Sequence, residues 1–494
     1  MRLPKVKFIY YNIWIYLVDK LDNPDRCRNG KFYDRVAALQ DGFRSSDEPI
    51  QNFIDFTDRW RETPTWDQRI EWNKQSLLPV NSFDNFRNFE KTTDWNKKST
   101  GTSYSISHKL PNTLVILQPS PFCNIDCRYC YLPNRKSKDI MTEETVQDIS
   151  RVIFSSPSLK RGFTVLWHAG EPMAVPKQFY EMAFGIMQES NKYHVPSIHN
   201  FQTNGTLITQ EWCELIKTSR VQIGVSLDGP KFIHDMPRVH RNGKGTFDEV
   251  MRGIKLLQKN DIPFGVIAVL TSESLKHPDE IFSFFTSNGI YNIGFNNEEI
   301  EGANRKSSLD KKVDTALRYN SFFDRILQLS QLSQTPVRIR EIENMINRIK
   351  GNNHKIISNE QVPLEIVTFD SNGNMSTFSP ELLTMSNKVH GDFVFGNAKN
   401  MKNVEEALAN EKLSKINDEI KAGIKSCRRD CEYFVVCGGG SPSNKFSENG
   451  TFDSTETMDC KLKIKEIANV TLTHLEKLQR RVETTKNNKI ALKT

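Results

Sequence analysis

From residue 112 onward, short apolar runs alternate with amphipathic stretches, and this alternation constrains the fold more than any other feature of the chain. The runs at 112–118, 163–168, 198–203, 221–227, 263–270 and 291–296 have the length and residue types of strands. Between them, 142–155, 176–192, 209–217, 247–260 and 277–287 carry apolar residues at helical spacing. In the first of these, Glu143 and Glu144 fall in the opening turn after Thr142, where the helix dipole favours acids. Strands separated by helices pair in parallel, because each helix returns the chain to the edge from which the next strand starts. The expected fold class is therefore α/β, with six units forming a partial (β/α)6 barrel. Beyond it, 311–331 reads as a helix and Asp370-Ser-Asn-Gly373 as a turn between apolar segments. Lys461–Val482 reads as an amphipathic helix through Ile464, Ile467, Ala468, Leu472, Leu475, Leu478 and Val482.

Composition removes several classes. The chain has 494 residues, 37% of them hydrophobic, with a formal net charge of +7. That is a globular composition with ample chain for a large core, neither disordered nor fibrous. So small a positive excess, with no basic block standing apart from acidic neighbours, predicts no nucleic-acid partner. The basic start Met1-Arg-Leu-Pro-Lys-Val-Lys before the apolar stretch Phe8–Val18 resembles a signal peptide, but Tyr10, Tyr11, Asn12 and Tyr16 interrupt it and no small-residue cleavage site follows. No run reaches the roughly 18 apolar residues of a membrane span. The expectation is a cytoplasmic protein without a membrane partner. Residues 1–110 are polar and carry Trp14, Trp60, Trp66, Trp72 and Trp95, with a helix-like stretch at 51–74 and a loop-like one at 81–107. They read as an accessory region.

Cysteine usage points to chemistry. Cys123-Asn-Ile-Asp-Cys127-Arg-Tyr-Cys130 follows directly on the first strand, and such spacing in a reducing compartment means metal rather than disulfide. Three thiolates satisfy three irons of a [4Fe–4S] cube and leave the fourth open to another ligand. A zinc knuckle completed by His168 or His240 is the plainer alternative. A second group, Cys427, Cys431, Cys437 and Cys460, supplies four thiols, enough to saturate one further cluster or a zinc ion. Cys27 and Cys213 stand alone and read as small buried hydrophobes.

The C-x3-C-x2-C motif, with Tyr129 before its last cysteine, resembles the signature of the radical SAM superfamily. The resemblance implies a [4Fe–4S] cluster on Cys123, Cys127 and Cys130 that binds S-adenosylmethionine (SAM) and reduces it to a 5′-deoxyadenosyl radical. Gly170-Glu171-Pro172 matches the segment that recognises the amino group of SAM, and His168 falls where related enzymes place a polar side chain beside it. Ser226-Leu-Asp228-Gly-Pro and the following Arg238 resemble the segment that holds the SAM ribose and carboxylate, for which the fork of an arginine suits both oxygens. Gln202-Thr-Asn204-Gly-Thr matches the same layout, with Asn204 a secondary candidate. All of these motifs fall at the carboxyl ends of predicted strands, where sites assemble in α/β barrels.

The C-terminal cysteines look like the auxiliary-cluster part of a SPASM domain. The pattern departs from the full domain at Phe378 and Ser441, where further cysteines would stand, so one auxiliary [4Fe–4S] cluster is expected instead of two. Phe295-Asn-Asn-Glu298-Glu299-Ile-Glu301-Gly, Cys437-Gly-Gly-Gly-Ser-Pro-Ser-Asn444-Lys445, Glu448–Phe452, Trp167-His-Ala-Gly-Glu-Pro and Phe378-Ser-Pro-Glu381-Leu together resemble the cyclophane-forming radical SAM/SPASM peptide maturases of the GrrM/OscB type. The resemblance covers about residues 112–470.

It implies an oxidoreductase that joins an aromatic ring to a Cβ within a ribosomally made precursor peptide, fed by a flavodoxin- or ferredoxin-type reductant. Glu298, Glu299, Glu301 and Glu381 are the candidates to orient substrate or accept a proton. Other radical SAM peptide modifications, namely thioether formation, epimerisation and formylglycine maturation, are the alternatives within enzymes, and a non-catalytic iron–sulfur peptide-binding protein is the alternative outside them. The expected organisation is 1–110 accessory, with precursor recognition the natural role; 111–305 radical SAM core; 306–365 helical linker; 366–482 SPASM-like domain; and 483–494 polar tail.

Overall fold

The computed structural model describes residues 31–45, 113–310, 314–350 and 358–491. The expectations for Phe8–Val18, 51–74, 81–107, Cys27 and the five N-terminal tryptophans lie outside these residues.

Six parallel strands run in sequence order: β1 (Leu114–Leu117), β2 (Phe163–Trp167), β3 (Ser197–Thr203), β4 (Gln222–Ser226), β5 (Phe264–Leu270) and β6 (Asn292–Asn297). The helices between them are α2 (Glu143–Ser155), α3 (Lys177–Ser190), α4 (Gln210–Thr218), α5 (Phe247–Lys259) and α6 (Pro278–Ser287), with α1 (Lys31–Ser45) preceding the sheet. Each falls within two residues of the span expected from periodicity. Thr142 caps α2 by accepting from the Thr145 amide at 3.1 Å, so a hydroxyl meets one of the orphan N–H groups of the first turn.

The strands bury alternate residues. Phe163, Val165 and Trp167 of β2 are buried, while Thr164 and Leu166 are half-buried on the other side. Trp167 stacks edge-on against Tyr180 of α3 with ring centroids 5.2 Å apart, and Tyr180 meets Phe201 of β3 at 4.8 Å. This aromatic block welds α3 to the sheet.

The sheet is larger than six strands. A short β7 (Arg338–Ile339) extends it beside β6, and β8 (Ile366–Phe369) pairs in parallel with β1 on the opposite flank. The Asp370–Gly373 turn leads from β8 into antiparallel β9 (Asn374–Thr377), whose other neighbour is β10 (Gly396–Asn397). The segment expected as a SPASM-like domain from 366 begins with strands of this same sheet, and Leu114 and Gln118 bond across to residues of the β8 strand and its flank.

Helices α7 (Thr315–Leu332), α8 (Arg340–Ile349), α9 (Glu411–Asp430) and α10 (Ile467–Ala491) complete the molecule. Helix α10 continues past 482, so most of the expected polar tail is helical. It receives α1: Arg35 makes two bonds, at 2.7 and 2.9 Å, to Glu476, and Phe32 stacks on Tyr433 at 4.3 Å. Among the described residues no helix is long and apolar enough to cross a membrane.

Replacing Trp167 by Ala removes the centre of the aromatic block, and the expected loss is about 3–5 kcal/mol of unfolding free energy in a urea titration.

Candidate active site

The loop after β1 carries the first thiols. Cys123 and Cys127 are buried and Cys130 is half-buried, and they form one small cluster with Ile125 and Tyr129. Burial pushes the Cys123 thiol up to about 12 and Cys127 to about 11, and in both cases nearby acids and thiols add to the shift. Thiols so placed ionise when metal charge compensates them. Two arginines hold the loop by its carbonyls: Arg241 donates to that of Cys123 at 2.6 Å, and Arg135 donates to that of Cys127 at 3.1 Å.

The β2 end closes over this loop. Gly170 has φ +59°, and a Cβ there would lie 2.3 Å from the Phe122 carbonyl oxygen, so only glycine permits the approach. Glu171 turns inward. Its Oε1 accepts from the Met173 amide at 2.9 Å and the Thr203 hydroxyl at 2.6 Å, and its Oε2 accepts from the Asn204 amide at 2.7 Å. Burial raises its carboxyl, while the bonds from Thr203, Asn204 and Met173 hold it down. The Glu171 side chain is therefore a brace between β2 and β3, and what Gly170-Glu171-Pro172 presents to a ligand is its backbone. Asn204 is a second brace, with Nδ2 3.8 Å from Cys123 Sγ and 2.9 Å from Asn124 Oδ1.

His168 meets Tyr131 ring to ring, with centroids 6.4 Å apart. Burial lowers His168 to about 4, so the ring is neutral, and its Nδ1 is buried without a hydrogen-bond partner, as is the Tyr131 hydroxyl. Two orphaned polar atoms beside the thiol loop are what a polar cofactor would satisfy. Ser226 accepts from Gln202 Nε2 at 3.1 Å.

Arg238 departs from expectation. Its Nε and Nη2 are both 3.0 Å from the Asp228 carboxylate, which also accepts from the Tyr129 hydroxyl at 2.6 Å, and the guanidinium lies over the Tyr129 ring. The fork assigned to a cofactor carboxylate is engaged by Asp228, because a buried guanidinium requires a paired anion. Tyr129, Asp228 and Arg238 form one unit under the thiol loop.

The second thiol set lies around another cavity. Cys427 lies in the last turn of α9, Cys431 caps it, Cys437 closes the turn that follows, and Cys460 opens a π-helical turn before α10. All four line one cavity of about 340 Å³. Buried Lys445 donates to Cys427 Sγ at 3.5 Å. Among the described residues no three His, Cys, Asp or Glu side chains converge tightly enough for a single metal ion. At the two positions without the further cysteines, Phe378 is fully buried in the core and Ser441 precedes the short helix Pro442–Asn449. Cys213 is buried in α4, as expected of an isolated thiol.

The acids divide. Glu298 accepts from the Ser308 amide at 2.7 Å and from the Ser308 hydroxyl, so it pins a loop and does not face the cavity. Glu299, Glu301 and Glu381 line a second cavity, of about 390 Å³, whose wall also includes Cys437 and Cys460. Burial pushes Glu299 up to about 8, with Asp459 adding to the rise and Lys463 opposing it. Burial raises Glu301 and Glu381 as well, and the Glu381 carboxylate raises Glu301 further. Sequence reasoning passed over Tyr131, Asp459 and Lys463, which lie beside singled-out cysteines but belong to no motif.

The sequence matches the Radical SAM superfamily over residues 117–285. It is 44% identical over 374 residues to the uncharacterized protein sll1766 of Synechocystis, an alignment covering 74% of this chain and 92% of that one. A serine-type anaerobic sulfatase-maturating enzyme of Bacteroides thetaiotaomicron is 34% identical over 180 residues, or 35% of this chain, and the chain spans less than half of that relative's length. The fold is similar to the solved structure of native anSMEcpe with bound AdoMet, at TM-score 0.60 and 21% identity, covering 75% of this chain and 99% of that one. The chain belongs to the radical SAM superfamily and to one family with sll1766. Its cofactors are a [4Fe–4S] cluster with SAM and an auxiliary [4Fe–4S] cluster.

Two outcomes test the site. Asp228→Leu strands a buried guanidinium and is expected to cost about 3–5 kcal/mol in chemical denaturation. For Glu299, the native state keeps a proton that the unfolded chain loses above its ordinary carboxylate range, so stability falls as pH rises from roughly 5 to 8. Glu299→Gln is expected to flatten that slope in melting curves across the range.

Proposed function

We propose that this chain is a peptide maturase that joins an aromatic ring to a Cβ within a ribosomally made precursor, forming three-residue cyclophanes. The observation that carries the reading is the 390 Å³ cavity shared by Glu299, Glu301 and Glu381 with Cys437 and Cys460, which sets candidate proton acceptors beside the second thiol set. Similar proteins support a protein or peptide substrate: sulfatase-maturating enzymes, and anSMEcpe with AdoMet and the Cp18Cys peptide.

Cys123, Cys127 and Cys130 would hold the SAM-binding cluster and Cys427, Cys431, Cys437 and Cys460 the auxiliary one. When bound, these groups supply hydrogen-atom abstraction and take up the electron released on rearomatisation, with a flavodoxin- or ferredoxin-type reductant as electron source. The chain's own residues do the rest. Glu171 and Asn204 hold the ends of β2 and β3 against the thiol loop, and the backbone of Gly170-Glu171-Pro172 with Ser226 and neutral His168 orient the cofactor. Glu299 or Glu381 accepts the proton that leaves the ring. Burial raises both carboxyls, so either of them, once deprotonated, is a stronger base than an ordinary carboxylate.

Formylglycine maturation is the second reading, favoured by the sulfatase-maturating relatives. Phe378 and Ser441, in place of further cysteines, weigh against it.

Cys127→Ala is expected to abolish SAM cleavage, and Cys431→Ala to retain cleavage but lose product. Anaerobic co-expression with a short neighbouring reading frame is expected to yield a peptide lighter by two hydrogens per ring, with fragmentation blocked across the joined residues. A formylglycine residue in its place would establish the second reading, and an unchanged peptide with intact SAM would remove both.

A further inference from the structure

The cavity beside the second thiol set gathers more acidic side chains than basic ones. Glu299, Glu301, Glu360, Glu381 and Asp459 line it. Of its cations, Arg340 pairs with Glu341 and Arg348 donates to the Val436 carbonyl at 3.0 Å. Lys463 serves Glu299 at 3.6 Å and feels Asp459 more strongly still. Glu381 accepts from Ser379, and Asp459 accepts from Asn297 at 2.8 Å.

Glu301 is only half served, by a hydrogen bond with Ser443. It is 4% exposed, and its Oε1 is buried with no hydrogen-bond partner. Its position is not adjustable. Gly302 has φ +54° and would place a Cβ 2.3 Å from the Tyr131 carbonyl oxygen, while the Ala303 amide donates to that same oxygen at 2.7 Å. The loop after β6 is thereby clamped to the thiol loop, and Glu301 is held in the cavity wall. A buried carboxylate oxygen without a donor costs free energy that a bound donor would recover. The acids are distributed around a cavity of about 390 Å³, a volume that admits the end of a basic side chain.

We infer that this cavity is a subsite for a cationic side chain, the guanidinium of arginine or the ammonium of lysine, with Glu301 and Glu381 as its recognition pair. Resting on the peptide-maturase reading, the inference narrows its substrate class to precursors with a basic residue near the joined positions. Such a residue would seat beside the second thiol set and fix the register of the peptide.

The test uses the full-length, cluster-loaded protein without reductant, in the presence of SAM so that the cofactor's own ammonium is already bound. Saturation-transfer NMR is recorded with N-acetyl-arginine methylamide, N-acetyl-lysine methylamide and the uncharged N-acetyl-citrulline methylamide. At least one cationic probe is expected to give signals fivefold or more above citrulline, and Glu301→Gln, with unchanged iron–sulfur absorbance, to remove that preference. Equal signals from all three probes on the unmodified protein overturn the subsite whatever the variant does. Should Glu301→Gln fail to fold, Glu381→Gln is expected to reduce the preference, and an undiminished preference there overturns the pairing. A modified peptide from co-expression with no cation preference sinks the subsite alone, whereas cation preference without any modified peptide sinks the maturase reading alone.

Discussion

The buried carboxylate of Glu171 holds the site together. It takes three hydrogen bonds from Met173, Thr203 and Asn204, so one side chain ties the end of β2 to the end of β3. Asn204 passes the constraint on to Asn124 and the Cys123 sulfur, and the Glu171 amide bonds the Phe122 carbonyl at 2.7 Å. An anion in that position is tolerated only because every lone pair facing inward meets a donor. In return, the thiol loop, which has no regular secondary structure of its own, is fixed against two strands.

A second constraint comes from charge. The region beside the second thiol set is crowded with carboxyls whose proton affinity burial has raised, and Lys463 and Arg340 compensate only part of them. Such an arrangement costs folding free energy at neutral pH and persists because the surrounding elements over-determine it. The packing of β8 against β1 and of α10 against α1 and α8 supplies that rigidity.

Much of this was legible in the residues. Strand and helix spans from 112 to 290 follow from hydrophobic periodicity, since each element buries one face against the next layer. The thiol spacing and the glycine of Gly170-Glu171-Pro172 were equally plain, because close backbone approach leaves glycine no substitute there. The roles of individual polar residues were less so. Glu298 and Glu299 are adjacent and chemically alike, yet one pins Ser308 and the other lines the cavity. Arg238 reads as a ligand for a free carboxylate, whereas its fork is filled by Asp228 ten residues earlier in the chain.

By itself, the sequence determined the order of the parallel strands, the two thiol sets and the superfamily, because periodicity and motif spacing are local properties that survive without knowledge of the fold. Only the tertiary structure decided that β8 joins the core sheet beside β1, that Glu301 rather than Glu298 faces the cavity, and that Tyr131, Asp459 and Lys463 belong to the site. Those outcomes depend on which side chains meet across hundreds of residues, and on which buried charges find a partner, and neither can be read from neighbours along the chain.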